Sequence, residues 1–344
     1  MGERFADLSP ISFSEYETIG SLALVFFNPL NSDRMREELE MSPREGAVVP
    51  FSANDFYMFL RKKLGYENMI YKVHHILSLM ERAELLTNEG HAGSVLLGDH
   101  YYNLKELTNL QKRNTYWLGE AFGFSYLQEK LNANVIHITG KDKNGRIGNG
   151  TGFLINSTTV LTCKHVVTDM APDDHLSILG NEYTFSVKAS DSRDIALLVL
   201  DKAVEGITSF PIFNSANVLD EVIIMGYPPI TGADSDYILS QRGEVNSIIY
   251  DYLSRTKNLV LSSITRPGNS GGPVISKAGY IVGMVTQFNV SGESAGFSGD
   301  SGSSSKNDSE IDRFPFYMAM QGESLFKGIK EIDSDVDIFF EDYQ

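Results

Sequence analysis

The chain reads as a multidomain α + β protein. A mostly helical part covers residues 1–130, an all-β part covers 131–330, and an acidic tail covers 331–344. Three patterns give this division. Before residue 130 apolar side chains recur at helical spacing, as in Ile70, Val73, Ile76, Leu77, Met80 and Leu85. Beyond it, short alternating or wholly apolar runs are bounded by Gly, Pro, Asn and Ser, which is the pattern of strands. After Lys330 there is no Lys or Arg, and Glu331, Asp333, Asp335, Asp337, Glu341 and Asp342 are interspersed with Ile332, Val336, Ile338, Phe339, Phe340 and Tyr343.

In the first part, Ser14 with Glu17 can cap a helix running to Phe27. Ser52 with Asp55 opens a second helix over 54–64, with Phe56, Phe59 and Leu60 on one face and Gly65 as its stop. Residues 68–86 make a longer one, Ser94 to Tyr102 a small hairpin, and 104–131 a helical stretch broken near Gly119 and Gly123. Helix, helix, hairpin resembles a winged-helix module, by topology and without a specific motif. Such a module can read DNA or bind protein. The helix with Lys72, His74, His75 and Arg82 also carries Glu67, Glu81 and Glu84, so it has no basic face and protein interaction is preferred. His74, His75, His91 and His100 have no Cys beside them and fit no common zinc spacing, and no metal is expected.

In the β part, Thr151 to Ile155 alternates as a strand, Asn156-Ser157 turns, and Thr159 to Thr162 is a second strand. It runs into Cys163-Lys164-His165-Val166-Val167 and leaves His165 where the strand ends. Asp194 leads the apolar run Ile195 to Leu200. The runs Leu259–Ile264 and Val274–Met284 flank Arg266-Pro267-Gly268-Asn269-Ser270-Gly271-Gly272-Pro273. A Ser among glycines, bracketed by prolines, is odd for a plain turn. It suits a loop whose N–H groups point at a negative oxygen beside a nucleophilic hydroxyl. A serine hydroxyl is inert at neutral pH without a base, and His165, Asp194 and Ser270 stand in one of the known triad orders.

The segments TGFLIN…VLTCKHVV, DIALLVL and GNSGGPVIS…GYIVGMVT resemble the trypsin-like (chymotrypsin-fold) serine peptidases. They look most like the compact bacterial branch that includes the HtrA proteases, since the separations are short, 194 − 165 = 29 and 270 − 194 = 76. The resemblance spans roughly residues 134 to 330 and implies an all-β double barrel after the helical, winged-helix-like part. It implies a serine endopeptidase acting on protein or peptide substrates, with no cofactor. Ser270 is then the nucleophile, His165 the base and later acid, and Asp194 the group that fixes the imidazole. Asp191 and Asp201 lie nearby, but Asp194 directly precedes the buried-looking strand, as the family pattern requires. The N–H groups of Gly268 and Ser270 would form the oxyanion hole. Ile264, Thr286 and Phe288 align with the specificity pocket, which would be shallow and apolar. The last barrel strand is expected over Phe314 to Met320.

One departure concerns control. Where digestive zymogens carry an acid before the nucleophile, this chain has Asn269, which cannot pair with a newly cut amino terminus. Regulation is expected instead through loops or through a protein activator bound by residues 1–130. The Ser/Gly-rich stretch 291–310 would hang over the pocket, either as a neutral loop or as a segment that orders with substrate. The tail is read as a loosely packed end, with docking on a partner or on its own domain as the alternative. For the whole chain the competing reading is a catalytically silent protease-fold sensor or adaptor, against which all three triad residues are intact.

Composition narrows the setting. The 344 residues carry a net charge of −16, which disfavours nonspecific nucleic-acid binding. The single cysteine, Cys163, permits no intramolecular disulfide and is read as a buried filler. No basic leader precedes the short apolar run Leu22 to Phe27, so no membrane segment is expected and a cytoplasmic location is. A small interaction domain fused to such a peptidase resembles proteases of bacterial antiphage systems, at the level of fold alone.

Overall fold

The computed structural model describes residues 10–43, 46–252, 254–286 and 317–342. The chain forms two compact units, Met1–Lys130 with Lys277–Gly279, and Leu131–Ser276 with Tyr280–Gln344.

The first unit opens with α1 (Phe13–Phe26). Its cap is Ser12 with Glu15, not Ser14 with Glu17. Both pairs have capping-box spacing. The earlier frame is reinforced by Lys72, whose buried ammonium reaches Glu15 at 2.8 Å, a long-range contact that spacing alone does not reveal. A short α2 (Ser32–Glu38) follows, unanticipated in the sequence, then β1 (Phe51–Ser52) and α3 (Ala53–Leu64). Ser52 and Asp55 do form a capping box, and Gly65 closes the helix at φ 68°. The next helix, α4 (Ile70–Arg82), stops short of residue 86 because Glu84 turns the chain at φ 55°. Strands β2 (Thr87–His91) and β3 (Asp99–Tyr102) make a hairpin that begins seven residues before Ser94 (94 − 87 = 7). The sheet order is β1-β3-β2. Helix α5 (Gly119–Leu131) is interrupted at Gly123, which takes φ 78°. Packed rings of Phe26, Phe27, Phe51, Phe56, Phe59 and Tyr101 fill the core. Burial of such rings is what holds short helices together here.

The second unit is two antiparallel β assemblies. The first contains β4 (Val135–Asp142), β5 (Ile147–Asn156), β6 (Thr159–Thr162), β7 (Met170–Pro172), β8 (His175–Ile178), β9 (Asn181–Ala189) and β10 (Ala196–Leu200). Its order is β7-β4-β5-β6-β10-β9-β8, and it curls until β8 lies near β4. The second contains β11 (Glu221–Gly226), β12 (Leu239–Asp251), β13 (Thr256–Leu261), β14 (Pro273–Ser276), β15 (Ile281–Val285) and β16 (Tyr317–Gln321), closed in the order β11-β12-β13-β16-β15-β14. Closure removes exposed sheet edges. A one-turn helix, α6 (Lys164–Asp169), follows β6, and α7 (Gly322–Ile332) follows β16.

Two expectations need adjusting. His165 lies in α6, capped by Cys163, rather than at the strand end itself. The tail is not loosely packed: α7 runs into it, and Phe213 N–H donates to Phe339 O while Glu341 N–H donates to Phe213 O. Phe326 packs on both Phe213 and Phe340, and Val336 and Ile338 are buried. The apolar half of the tail therefore docks on its own domain. The last strand starts at Tyr317, while residues 314–316, Phe288 and the whole 291–310 stretch lie outside the described residues.

Candidate active site

Cys163, in extended conformation, ends β6 and starts α6, which raises His165 on its first turn. The His165 ring Nδ1 meets Asp194 Oδ2 at 2.8 Å, and the His165 backbone N–H donates to Asp194 Oδ1 at 2.9 Å. Asp194, not Asp191 or Asp201, is thus the acid in contact with the histidine. Its Oδ2 also accepts the Thr286 hydroxyl at 2.5 Å. Burial would raise the Asp194 pKa, but the hydrogen bond and charge of His165, with Thr286 and the His165 N–H, outweigh it and hold the group at about 2. An ionised Asp194 fixes the proton on Nδ1 and leaves Nε2 as the basic nitrogen. That Nε2 is buried and has no partner among the described residues.

The loop around Ser270 is built by backbone rules. Asn269 N–H donates to Arg266 O at 2.9 Å, closing a four-residue turn with Pro267 and Gly268 at its centre. Gly268 takes φ 99°. Pro then Gly, with positive φ at the second, is the type II turn that this dipeptide favours. Glycine is needed for space as well as for φ. A Cβ on Gly268 would lie 2.6 Å from Tyr227 O, one on Gly271 2.0 Å from Thr151 O, and one on Gly272 2.3 Å from Met225 O. The N–H groups of Asn269, Gly271 and Gly272 all have backbone acceptors. Those of Gly268 and Ser270, on either side of Asn269, have none among the described residues.

Thr151 and Val285 tie these parts together. Thr151, fully buried on β5, donates its N–H to Ser270 O at 2.9 Å and its hydroxyl to Gly268 O at 2.6 Å, and accepts Tyr227 N–H at 2.9 Å. Val285 O accepts both Gly271 N–H at 2.8 Å and the Cys163 thiol at 3.2 Å. The segments that carry Ser270 and His165 thus share one carbonyl. The role of Thr151 went unrecognised in the sequence; a hydroxyl set between two glycines, Gly150 and Gly152, is the signal that marks it.

Cys163, His165 and Asp194 place three potential ligand atoms within 4.8 Å of one another. The thiol is fully buried, and burial followed by the Asp194 charge pushes its pKa well up, so it stays a neutral donor to Val285. The carboxylate of this cluster is engaged by His165 and Thr286, and its thiol by Val285 O. Of the expected pocket residues, Ile264 is half exposed, Thr286 turns its hydroxyl to Asp194, and Phe288 lies outside the described residues. Asn269 is buried, with its Oδ1 unpartnered among the described residues.

Residues 150–284 match the family model of the trypsin-like peptidase domain. Similar solved structures include the active form of the Rv3671c protease from M. tuberculosis, 18% identical, covering 60% of this chain and 84% of that one at TM-score 0.45. The HtrA-type protease AlgW with tripeptide is 16% identical, with 61% and 64% covered at TM-score 0.46. The serine endoprotease from Yersinia pestis is 16% identical, with 61% and 66% covered at TM-score 0.44. No helix among the described residues is long and apolar enough to cross a membrane.

Proposed function

We propose, from the premise that this chain carries a trypsin-like peptidase domain and is a serine endopeptidase, that Ser270, His165 and Asp194 are its catalytic residues. The observation that carries the assignment is the pinned imidazole, with Nδ1 on an ionised Asp194 and a buried, unpartnered Nε2. Nε2 takes the Ser270 proton as Oγ attacks the scissile carbonyl. The new oxyanion accepts the N–H groups of Gly268 and Ser270. Asp194 stabilises the imidazolium, which then protonates the leaving amine, and water releases the acyl group by the reverse path. No hydrogen bond joins Ser270 Oγ to Nε2 in this structure, and such bonds commonly tighten only when substrate is bound.

The rest of the reading is finer. The element order α1-α2-β1-α3-α4-β2-β3, with sheet order β1-β3-β2, supports a winged-helix-like interaction module with an extra short helix, α2, after α1. Residues 1–130 then bind a protein activator or partner, since Asn269 offers no charge to a cut terminus. The lone buried thiol supports a reducing, cytoplasmic setting, and the two-part layout supports a role in bacterial antiviral defence. Ile264, with no acid beside it, supports a pocket that rejects Arg and Lys.

Labelling by a fluorophosphonate probe tests the core of this reading. Wild-type protein should be labelled, and Ser270→Ala should lose both the label and peptidase activity, by roughly 10⁶-fold for the latter. Absence of labelling even with candidate partners would favour a silent protease-fold adaptor.

A further inference from the structure

The loop that presents Asp194 is held from outside the active site. Ile195 N–H donates to Arg193 O at 2.9 Å, so Asp194 is the centre of a tight three-residue turn and its flanking residues set its aim. Behind it, Ser190 Oγ accepts the Arg193 N–H at 3.1 Å, and Ser190 N–H donates to Ile195 O at 2.9 Å. Both flanks then rest on one helix. A Cβ on Gly328 of α7 would lie 2.4 Å from Ile195 Cδ1 and 3.3 Å from Arg193 Cδ. One turn on, on the same face of α7, the Glu331 carboxylate pairs with the Arg193 guanidinium. The Arg193 side chain is 13% exposed and its Nε is buried without a partner among the described residues. Among the described residues Glu331 is thus the one counter-charge on a largely buried cation beside the catalytic acid. Lys188 with Asp333, at 2.6 Å, pins the segment just beyond α7 to the strand that leads into this loop.

We propose that Arg193 is a positioning residue for Asp194, held in place by Glu331 and seated on Gly328, so that the C-terminal helix sets the aim of the triad carboxylate. Asp194 must bring Oδ2 to Nδ1 and Thr286 and Oδ1 to the His165 N–H at once. A small rotation of the turn breaks several of these together. The pair does not touch substrate. Its effect should fall on the chemical step and on the imidazole, with substrate affinity little altered. This inference rests on the catalytic reading above.

The test uses the full chain and four variants: Glu331→Gln, Glu331→Arg, Arg193→Glu, and the swap Arg193→Glu with Glu331→Arg. Fluorophosphonate labelling rate, the His165 Nδ1–H proton resonance and the melting temperature are measured for each. Glu331→Arg and Arg193→Glu should each slow labelling about 10- to 100-fold and shift or broaden the resonance, as displacement of a catalytic group does. The swap should recover most of the rate and restore the resonance, which a purely structural role would not produce. Wild-type rates and resonances in the single variants, or a swap no better than the worse single, overturn the proposal. If Arg193→Glu does not fold, the two Glu331 variants decide, since that side chain is 56% exposed and its replacement leaves the core intact. Labelling that survives Ser270→Ala defeats the nucleophile assignment instead, and the His165 resonance still reports on Arg193 and Glu331.

Discussion

The loop around Ser270 and the loop around Asp194 are each held in a defined shape, and by different means. Residues 266–272 are shaped by their own backbone: a Pro-Gly turn, glycines with no room for a Cβ, and N–H groups bonded to nearby carbonyls. Residues 190–195 close a turn of their own, and side chains far away in the chain then hold it in place. Lys164 Nζ reaches Ser190 O at 2.7 Å, Thr286 reaches Asp194, and Gly328 and Glu331 support Arg193. The first loop should therefore fail when its own residues change. The second should fail when its remote partners change.

The largest break in that comparison is Asp194→Asn. The amide keeps the size of the side chain but stabilises the wrong imidazole tautomer. Turnover should drop by about 10⁴ with the fold intact. Steady-state kinetics with far-UV circular dichroism check this. A harmless Asp194→Asn, with a comparable loss at Asp191 or Asp201, would move the acid's role and leave the 190–195 loop without a catalytic purpose.

Gly268→Ala comes next. At φ 99°, with Tyr227 O only 2.6 Å from the new Cβ, the turn must open and carry the Gly268 N–H off its target. Losing one oxyanion donor costs roughly 10²- to 10³-fold in kcat. The KM for a short peptide substrate should change little. If kcat held and KM rose, Gly268 would be shaping a subsite and not the oxyanion hole.

This difference explains what could be read from the amino-acid string. A Ser set in Pro-Gly-Asn-Ser-Gly-Gly declares its backbone locally, so the shape of the loop around Ser270 was legible. The order of His165 and Asp194 was legible too, because each borders a strongly apolar run. Helix α3, with its Ser52–Asp55 box and Gly65 stop, was legible for the same local reason. The Ser12 cap was not, because Lys72 on α4 reinforces the choice between two equally spaced frames. Nor was α7, a charge-balanced segment whose apolar face forms only against Ile195 and the barrel. The contacts of Thr151 with Gly268, Ser270 and Tyr227, and that of Thr286 with Asp194, are likewise products of the fold.

A smaller break is Thr151→Val. The substitution keeps the shape and removes the hydroxyl that bridges Gly268 O and Tyr227 N–H at the back of the nucleophile loop. Two backbone groups would lose a partner in a fully buried place, a destabilisation of about 1–3 kcal/mol. Urea denaturation measures it. Turnover should fall less than in Gly268→Ala, because the turn itself is closed by Arg266 and Asn269. A larger loss of turnover than Gly268→Ala would mean that the loop is not self-sufficient.

The mildest effect expected is on acid stability, and it belongs to the Asp194 side. The folded-state pKa of Asp194 is depressed from 3.8 to about 2, because its hydrogen bonds and the His165 charge outweigh burial. A group depressed on folding stabilises the native state above its unfolded pKa, where it is ionised in both states. That stabilisation fades as pH falls from near 4 towards 2, because the unfolded chain takes up the proton first. Asp194→Asn has no such proton to lose. Glu15, Glu323 and Asp333 are also depressed and titrate in both proteins, so they cancel in the difference. The gap in denaturation midpoint between wild type and Asp194→Asn should therefore narrow through this window. A gap that stays constant from pH 5 to pH 2 would mean that the carboxylate is not stabilised by its contacts with His165 and Thr286. The 190–195 loop would then be held by its remote partners alone.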